Sequence, residues 1–256
     1  MSYLDEIFDL KSKVVIVTGA CGQLGNTICD SFKKSGSTVY GLDINVDTNK
    51  INGVEYFSID ITNKLELIEI FESIIAKHKK IDVLINNAGV STFENFEKRS
   101  EEDFDWVMDT NLKGTFFCIQ TFVNLFDSNK LKKASIINIG SIFGVVSPDF
   151  RNYTDLPRKS PEVYGASKAG VIQMTKYFSV HLAERNIRVN CVSPGGIFNP
   201  KSPQGKGFVE NYSFRVPMKR MGEQSEMVGA ILYLASSAAS YTTGQNILID
   251  GGLTSW

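Results

Sequence analysis

Tyr164 and Lys168 stand four residues apart in VYGASKAG, and Ser141 stands upstream in NIGSIFG. On a helix, positions i and i+4 lie on one face a turn apart, so this spacing points a phenol and an ammonium into the same space. A free phenol, with a pKa of ~10, is a poor proton carrier at neutral pH. A nearby cation favours the phenolate and lowers that value. Bringing it to neutrality takes roughly 4 kcal/mol of differential interaction. The lysine, helix dipoles and the charge of a bound group can together supply that. The pair is a candidate proton-transfer device, with Ser141 as a second hydrogen-bonding group. In a chain with nine tyrosines the same spacing also arises by chance, so its weight depends on the elements around it.

Those elements alternate. Val14–Thr18 is a short apolar, β-branched run that ends in Gly19 and reads as a buried strand. Gly22 to Ser35 reads as a helix closed by Gly36, and Thr38–Leu42 as a second strand ending at Asp43. Val54–Ile59 is a third strand, ending at Asp60. Thr62–His78 has helical apolar spacing, with Thr62 as the expected N-cap. Ile81–Ile85 is a fourth strand followed by Asn86-Asn87-Ala88-Gly89. Glu101–Phe126 reads as one long helix crossing Asn111 and Gly114, and Ala134–Ile139 as a fifth strand running into Ser141. Glu162–Ala183 is the helix bearing Tyr164 and Lys168. Ile187–Val192 leads to Pro194-Gly195-Gly196, Glu223–Ser236 is a further helix, and Asn246–Ile249 a last strand. Short continuous apolar strands alternating with amphipathic helices predict a single α/β domain, a parallel sheet covered on both faces. The motifs recur just after strand C-terminal ends, the edge where doubly wound sheets bind ligands. Two polar, basic stretches break the rhythm. Val145–Pro161 contains Arg151, Arg158 and Lys159; Phe198–Met221 contains Lys201, Lys206, Arg215, Lys219 and Arg220. Both read as irregular, the second as a lid over the substrate.

Composition narrows the classes. A formal net charge of −1 over 256 residues gives no electrostatic case for nucleic acid or an anionic membrane. No stretch is apolar enough to span a membrane, and the acidic start, MSYLDEIFDLKSK, is not a signal peptide. Cys21, Cys29, Cys118 and Cys191 are scattered and read as free thiols of a reducing cytoplasm. With only His78 and His181, no metal site is expected, and both read as structural or solvated.

The segment Thr18-Gly19-Ala20-Cys21-Gly22-Gln23-Leu24-Gly25 joins the first strand to the first helix. Glycines permit a tight turn and close backbone approach, and the helix N-terminus offers free N–H groups, which suits a pyrophosphate. Asp43 ends the second strand, where a carboxylate accepts hydrogen bonds from both ribose hydroxyls of an adenosine and repels a 2′-phosphate. Ile44 follows it, and neither the loop nor the neighbouring sequence offers an arginine to hold that phosphate. NAD(H) is therefore expected over NADP(H). The alternative is an exposed turn aspartate. Asp60 and Ile61 are expected to flank the adenine.

From Lys13 onward the chain resembles the single-domain short-chain dehydrogenase/reductase family. The resemblance is carried by the glycine loop after Thr18, Asp60, Asn86-Asn87-Ala88-Gly89, Asn111 in NLKG, Ser141, Tyr164-x-x-x-Lys168, Pro194-Gly195 and the closing Asp250-Gly251-Gly252. It implies a Rossmann-type sheet of about seven parallel strands, three-layer α/β/α, and a nicotinamide cofactor. It makes Tyr164 the general acid/base and Lys168 the group that lowers its pKa and binds the nicotinamide ribose. Ser141 would hydrogen-bond the substrate oxygen. Asn111 would kink its helix and hold a water that links Lys168 to solvent. Asn87, Ala88 and Gly89 would line the cofactor, and Ile197, after Pro194-Gly195-Gly196, would meet the nicotinamide carboxamide. It also implies dimers or tetramers built through the helices of Asn111 and Tyr164, which carry Phe116, Phe117, Ile119, Phe122, Ile172, Met174, Tyr177 and Phe178. The terminal Trp256 is expected at an interface or against the substrate loop.

Two departures stand out. Gln23 occupies a position where the family usually has glycine, and Gly22 gives a Gly-x-x-Gly-x-x-Gly spacing like that of sugar-nucleotide epimerases and dehydratases. Those enzymes carry a further C-terminal substrate domain; here the chain ends just after its last strand. The path from Ser141 to Tyr164 is also longer than the family usually leaves, so extra residues must loop out above the site. That insertion, SPDFRNYTDLPRKSPE, holds Arg151 and Arg158, suited to anions, and the rings of Phe150 and Tyr153. It predicts a polar or anionic, sugar-type substrate contacted by Ser141, Tyr164, Arg151 and Arg158; the competing reading is a solvated loop. The same stretch resembles oxidoreductases of bacterial surface-sugar pathways, among them flagellin-modification enzymes tied to sialic-acid-like sugars. A secondary-alcohol dehydrogenase is the leading expectation. An epimerase or dehydratase with tightly held NAD, or a non-catalytic NAD-sensing protein, are the alternatives. The sensing class tends to lose the tyrosine or lysine, and both stand here.

Overall fold

The computed structural model describes residues 2–46, 50–155, 159–200 and 204–256. A short helix α1 (Tyr3–Ile7) is opened by a capping box between Ser2 and Asp5. It precedes β1 (Val14–Thr18), α2 (Gln23–Lys34), β2 (Thr38–Asp43), β3 (Glu55–Ser58), α3 (Lys64–His78) and β4 (Val83–Asn86). Then follow α4 (Glu101–Met108), α5 (Thr115–Ser128), β5 (Ala134–Ile139), α6 (Glu162–His181), β6 (Ile187–Pro194), α7 (Lys206–Arg215), α8 (Gln224–Ala235) and β7 (Asn246–Ile249). The strands form one sheet of order β3-β2-β1-β4-β5-β6-β7, and every pairing is parallel. The expected doubly wound single domain is what the chain forms.

Alternation along β1 shows how the layers are built. Val14 and Ile16 pack with Phe71 of α3 and Phe122 of α5 on one face, while Val15 and Val17 pack with Ile28 of α2 and Ile231 of α8 on the other. Both faces are covered, so the strands read as unbroken apolar runs. The order reverses beside β1, where its two neighbours are β2 and β4. That switch opens a crevice at the strand C-terminal ends.

Three expectations need correction. Asn63, not Thr62, caps α3: its side chain accepts from the Glu66 amide, while the Thr62 hydroxyl donates to Asp60. The long helix from Glu101 is not uniformly α-helical, because Asp109–Gly114 form a π-helical segment between α4 and α5. Such a segment shifts the side-chain register and is common at functional sites. Gly114 within it lies against Ile61, whose Cδ1 would be 2.6 Å from an added Cβ. Finally, the 198–221 stretch is not wholly irregular, since it contains α7. Neither histidine stands alone: His78 Nε2 is 2.7 Å from the Tyr40 hydroxyl, and His181 stacks on Tyr177.

Candidate active site

The turn after β1 is shaped by two glycines. Gly19 has φ +62°, and a Cβ there would lie 2.7 Å from Ala88 Cα, so the turn sits directly on the segment that follows β4. A Cβ on Gly25, in the first turn of α2, would overlap the Gly19 carbonyl oxygen. Thr18 stitches the two strand ends together: its hydroxyl accepts from the Asn87 and Ala88 amides, at 3.1 and 3.0 Å, and Asn87 Nδ2 donates to the Thr18 and Gly19 carbonyls. Gly22 is the N-cap of α2 and offers no side chain, which leaves the helix N-terminus open toward the crevice. Gln23, the departure in the loop, donates from Nε2 to the Phe198 carbonyl at 2.9 Å and ties the loop to the segment after β6.

Asp43, at the end of β2, is held from both sides. One carboxylate oxygen accepts from the Cys21 amide at 2.9 Å, the other from the Asn45 amide at 3.0 Å. Burial, with the Asp43 charge adding to it, pushes the Cys21 thiol upward, so it is a poor thiolate. Asp60 and Ile61 line the same end of the crevice.

At the other end, α6 brings Tyr164 and Lys168 beside Ser141. Lys168 is almost fully buried, with Nζ 2.8 Å from the Ile139 carbonyl oxygen and 5.7 Å from the centre of the Tyr164 ring. Burial lowers its pKa to about 8. The Tyr164 phenol is pushed up by desolvation, partly offset by its hydrogen bond with Ser141. In the protein alone desolvation outweighs that hydrogen bond, so lowering the phenol would call on the charge of a bound cofactor as well as on Lys168. Ser141 Oγ also accepts from the Phe143 amide at 3.1 Å.

Asn111 lies in the π segment and is fully buried. Its carboxamide accepts from the Val90 amide at 2.7 Å and donates to the Val90 carbonyl and to Ser167 Oγ, each at 3.0 Å. It braces the loop after β4 against α6. Gly89 sits between the two helices' polar groups: a Cβ there would lie 3.3 Å from both Asn111 Oδ1 and Lys168 Nζ.

One cleft of about 820 Å³ unites these parts. Gly19, Cys21, Gly22, Gln23, Leu24, Asp43, Asp60, Ile61, Asn87, Ala88, Gly89, Ser141, Tyr164, Lys168, Pro194, Gly195 and Ile197 all line it. Gly25 and Asn111 support it from behind. Arg151 is not brought in: its guanidinium grips Asp149, two residues earlier, with contacts of 2.9 to 3.1 Å, and it does not line the cleft. Arg158 lies outside the described residues, as does Lys201. Lys159 rests over the Phe150 ring. Sequence reasoning missed the aromatic wall made by Phe93, Trp106, Phe143, Phe208 and Tyr212, which joins Tyr153 in lining the cleft. Phe143 follows Ser141 in its own motif, while the other rings come from segments of no chemical signature that the topology gathers.

The cleft suits an extended dinucleotide. A side chain on Gly19 or Gly25 would disrupt the loop, and Asp43 lines the cleft as a residue that would hold an adenosine ribose. Residues 19–254 match the family model described as enoyl-(acyl carrier protein) reductase. The chain is 38% identical to the 3-oxoacyl-[acyl-carrier-protein] reductase FabG of Thermotoga maritima, over 95% of this chain and 98% of that protein. It is 32% identical to the NADH-dependent L-xylulose reductase of Ambrosiozyma monospora, over 97% of each. Among solved structures it is similar to a short chain dehydrogenase from Leptospira borgpetersenii with bound NAD+, at 42% identity and a TM-score of 0.89, covering 99% of this chain and 96% of that one. With that likeness spanning the glycine loop, Tyr164, Lys168 and the whole sheet, the chain belongs to the short-chain dehydrogenase/reductase family of oxidoreductases.

Proposed function

We propose that the protein is an NAD(H)-dependent oxidoreductase that interconverts a secondary alcohol and a ketone on an uncharged, hydroxyl-rich substrate of the sugar or polyol type. The observation that carries this is the convergence of Ser141, Tyr164 and Lys168 on one end of a cleft whose other end is Asp43. A nicotinamide held there supplies or accepts the hydride and, when oxidised, adds a positive charge. Ser141 and Tyr164 bracket the substrate oxygen. The phenol gives its proton to that oxygen in reduction and takes it back in oxidation. Lys168 would hold the ribose of the bound cofactor, and its ammonium stabilises the phenolate as it forms. The aromatic wall shields the reacting carbon from water and offers faces to the C–H side of a sugar.

Arg151, one of the two arginines expected to meet an anionic substrate, is spent on Asp149, while Arg158 lies outside the described residues. Among the described residues lining the cleft, Lys168 is the only lysine or arginine, and it serves the chemistry. Ser91, Ser141, Ser160 and Gln204 line it instead and offer neutral polar groups. The L-xylulose reductase likeness points the same way. A surface-sugar role of the flagellin-modification kind then requires a neutral sugar. A panel of polyols, ketoses, sugar phosphates and nucleotide sugars, followed by NADH absorbance, tests this: turnover of neutral polyols or ketoses is expected, and turnover confined to phosphorylated or nucleotide-linked sugars overturns it.

Cofactor choice follows from Asp43. With both carboxylate oxygens oriented by backbone amides, the site favours ribose hydroxyls over a 2′-phosphate. Steady-state kinetics should favour NADH, and Asp43→Ser should shift the NADPH-to-NADH ratio of kcat/KM by at least about tenfold toward NADPH, since it removes a like-charge clash. A wild-type preference for NADPH refutes the assignment. A cytoplasmic location is part of this proposal, and four free cysteines support it. No helix among the described residues is long and apolar enough to cross a membrane. A dimer or tetramer is supported by exposed Trp106, Tyr177 and Val180 on α4 and α6, and Trp256 is also exposed. Ile119 and Phe122, by contrast, are consumed by the core.

A further inference from the structure

We propose that Asp155 is a positioning residue, and that the insertion after β5 governs substrate binding by pinning α7 over the cleft rather than by presenting cations to a ligand. The N-cap of α7, Gly205, has no side chain to satisfy the first amides of the helix. Asp155 supplies the missing acceptor from the insertion: its Oδ2 takes the Gly207 amide at 2.7 Å and the Phe208 amide at 3.3 Å. A carboxylate in this place both satisfies orphan donors and opposes the positive end of the helix. The approach is close enough that a Cβ on Gly205 would overlap the Asp155 carboxylate, and one on Gly207 would lie 2.9 Å from Thr154 Oγ1.

Further links continue along one face of α7. Asn211 Nδ2 donates to Thr154 Oγ1 at 3.1 Å, and the Arg215 guanidinium pairs with Asp149. The Tyr153 and Phe208 ring centres are 5.0 Å apart. Positions 208, 211 and 215 recur at helical spacing, so a single face of α7 is sewn to the insertion. Tyr212 of α7 points elsewhere: its hydroxyl accepts the Gly196 amide, next to Ile197. Phe208 and Tyr212 both line the cleft. The acidic residues of the insertion thus hold Phe208 and Tyr212 at the cleft, and Asp149 pairs with Arg151, which sequence alone offered to substrate.

The kinetic part rests on the alcohol–ketone reading above; the structural part does not. In full-length Asp155→Ala, hydrogen exchange in the 206–215 segment should quicken by about tenfold, the scale of losing a capping carboxylate. NADH affinity, read by fluorescence titration, should stay within about twofold and kcat within about threefold, while KM for the polyol or ketose turned over in the panel rises by about tenfold. Asp155→Asn keeps an acceptor oxygen and should recover most of both effects. Asn211→Ala, a milder cut in the same seam, should show the same pattern on a smaller scale. Unchanged exchange in Asp155→Ala overturns the anchor. Faster exchange with an unchanged KM overturns the positioning role, as does a loss that falls on kcat or NADH binding instead. The exchange measurement needs no substrate, so it stands or fails apart from the panel.

Discussion

Replacing Tyr164 by phenylalanine abolishes turnover, lowering kcat/KM by on the order of 10³ or more, while NADH still binds with affinity within about threefold of wild type. The change deletes one oxygen and keeps the ring, so the packing of α6 beneath the cleft is preserved. What disappears is the group that exchanges a proton with the substrate oxygen and the hydrogen bond it makes with Ser141. Ser141→Ala should cost less, about tenfold to a hundredfold, because it removes a hydrogen bond to the developing charge but leaves the proton carrier. The direction of the Tyr164 shift adds a pH signature. Burial holds the phenol above its ordinary value of 10.0, so at neutral pH it is protonated and ready to donate. Reduction of a ketone should therefore run well at neutral pH, and alcohol oxidation should accelerate as pH rises and the phenolate becomes accessible. Tyr164→Phe retaining a tenth of wild-type activity refutes the acid role.

How much of this site was legible before the structure depends on how local each signal is. The strands announce themselves because both faces of a parallel sheet are buried, and the glycine loop, Asp43, Asn87 to Gly89 and Ser141 stand next to strand ends by sequence alone. Tyr164 and Lys168 share a helix, so their spacing carries their geometry. Asn111 was placed in a helix, but apolar spacing cannot reveal the π segment that turns its carboxamide toward Val90 and Ser167. Helix α7 was missed for a related reason: of its ten residues only Tyr212 is buried, and its cap comes from Asp155, far away in sequence. Arg151 misled in the opposite way. Its own neighbour Asp149, two residues earlier in the sequence, satisfies it. The aromatic wall was invisible because its rings come from separate connections and helices that only the fold brings together.

Lys168→Met should silence the enzyme and at the same time change its stability in a pH-dependent way. On activity, a loss of about 10² or more in kcat is expected, since the phenolate loses its cation and proton transfer loses its support. On stability, the sign follows from the Lys168 pKa, lowered by burial from 10.5 to about 8. Between those values the unfolded chain binds the proton more readily than the folded one, so wild-type stability rises with pH through this window. Below about pH 8 the folded protein carries the full cost of a buried ammonium, on the order of 3 kcal/mol. Methionine fills similar volume without charge and removes that cost. It also leaves the Ile139 carbonyl, which Lys168 satisfies at 2.8 Å, without its donor, a loss of about 1–3 kcal/mol. Near pH 7 the two effects oppose each other, and the variant should match or slightly exceed wild type. Near pH 10.5 only the lost hydrogen bond remains, and the variant should be the less stable protein. Denaturant unfolding of both at the two pH values isolates the difference, because the other titrating groups cancel. A stability difference that stays flat between them shows that burial does not lower the Lys168 pKa, and refutes the desolvated ammonium.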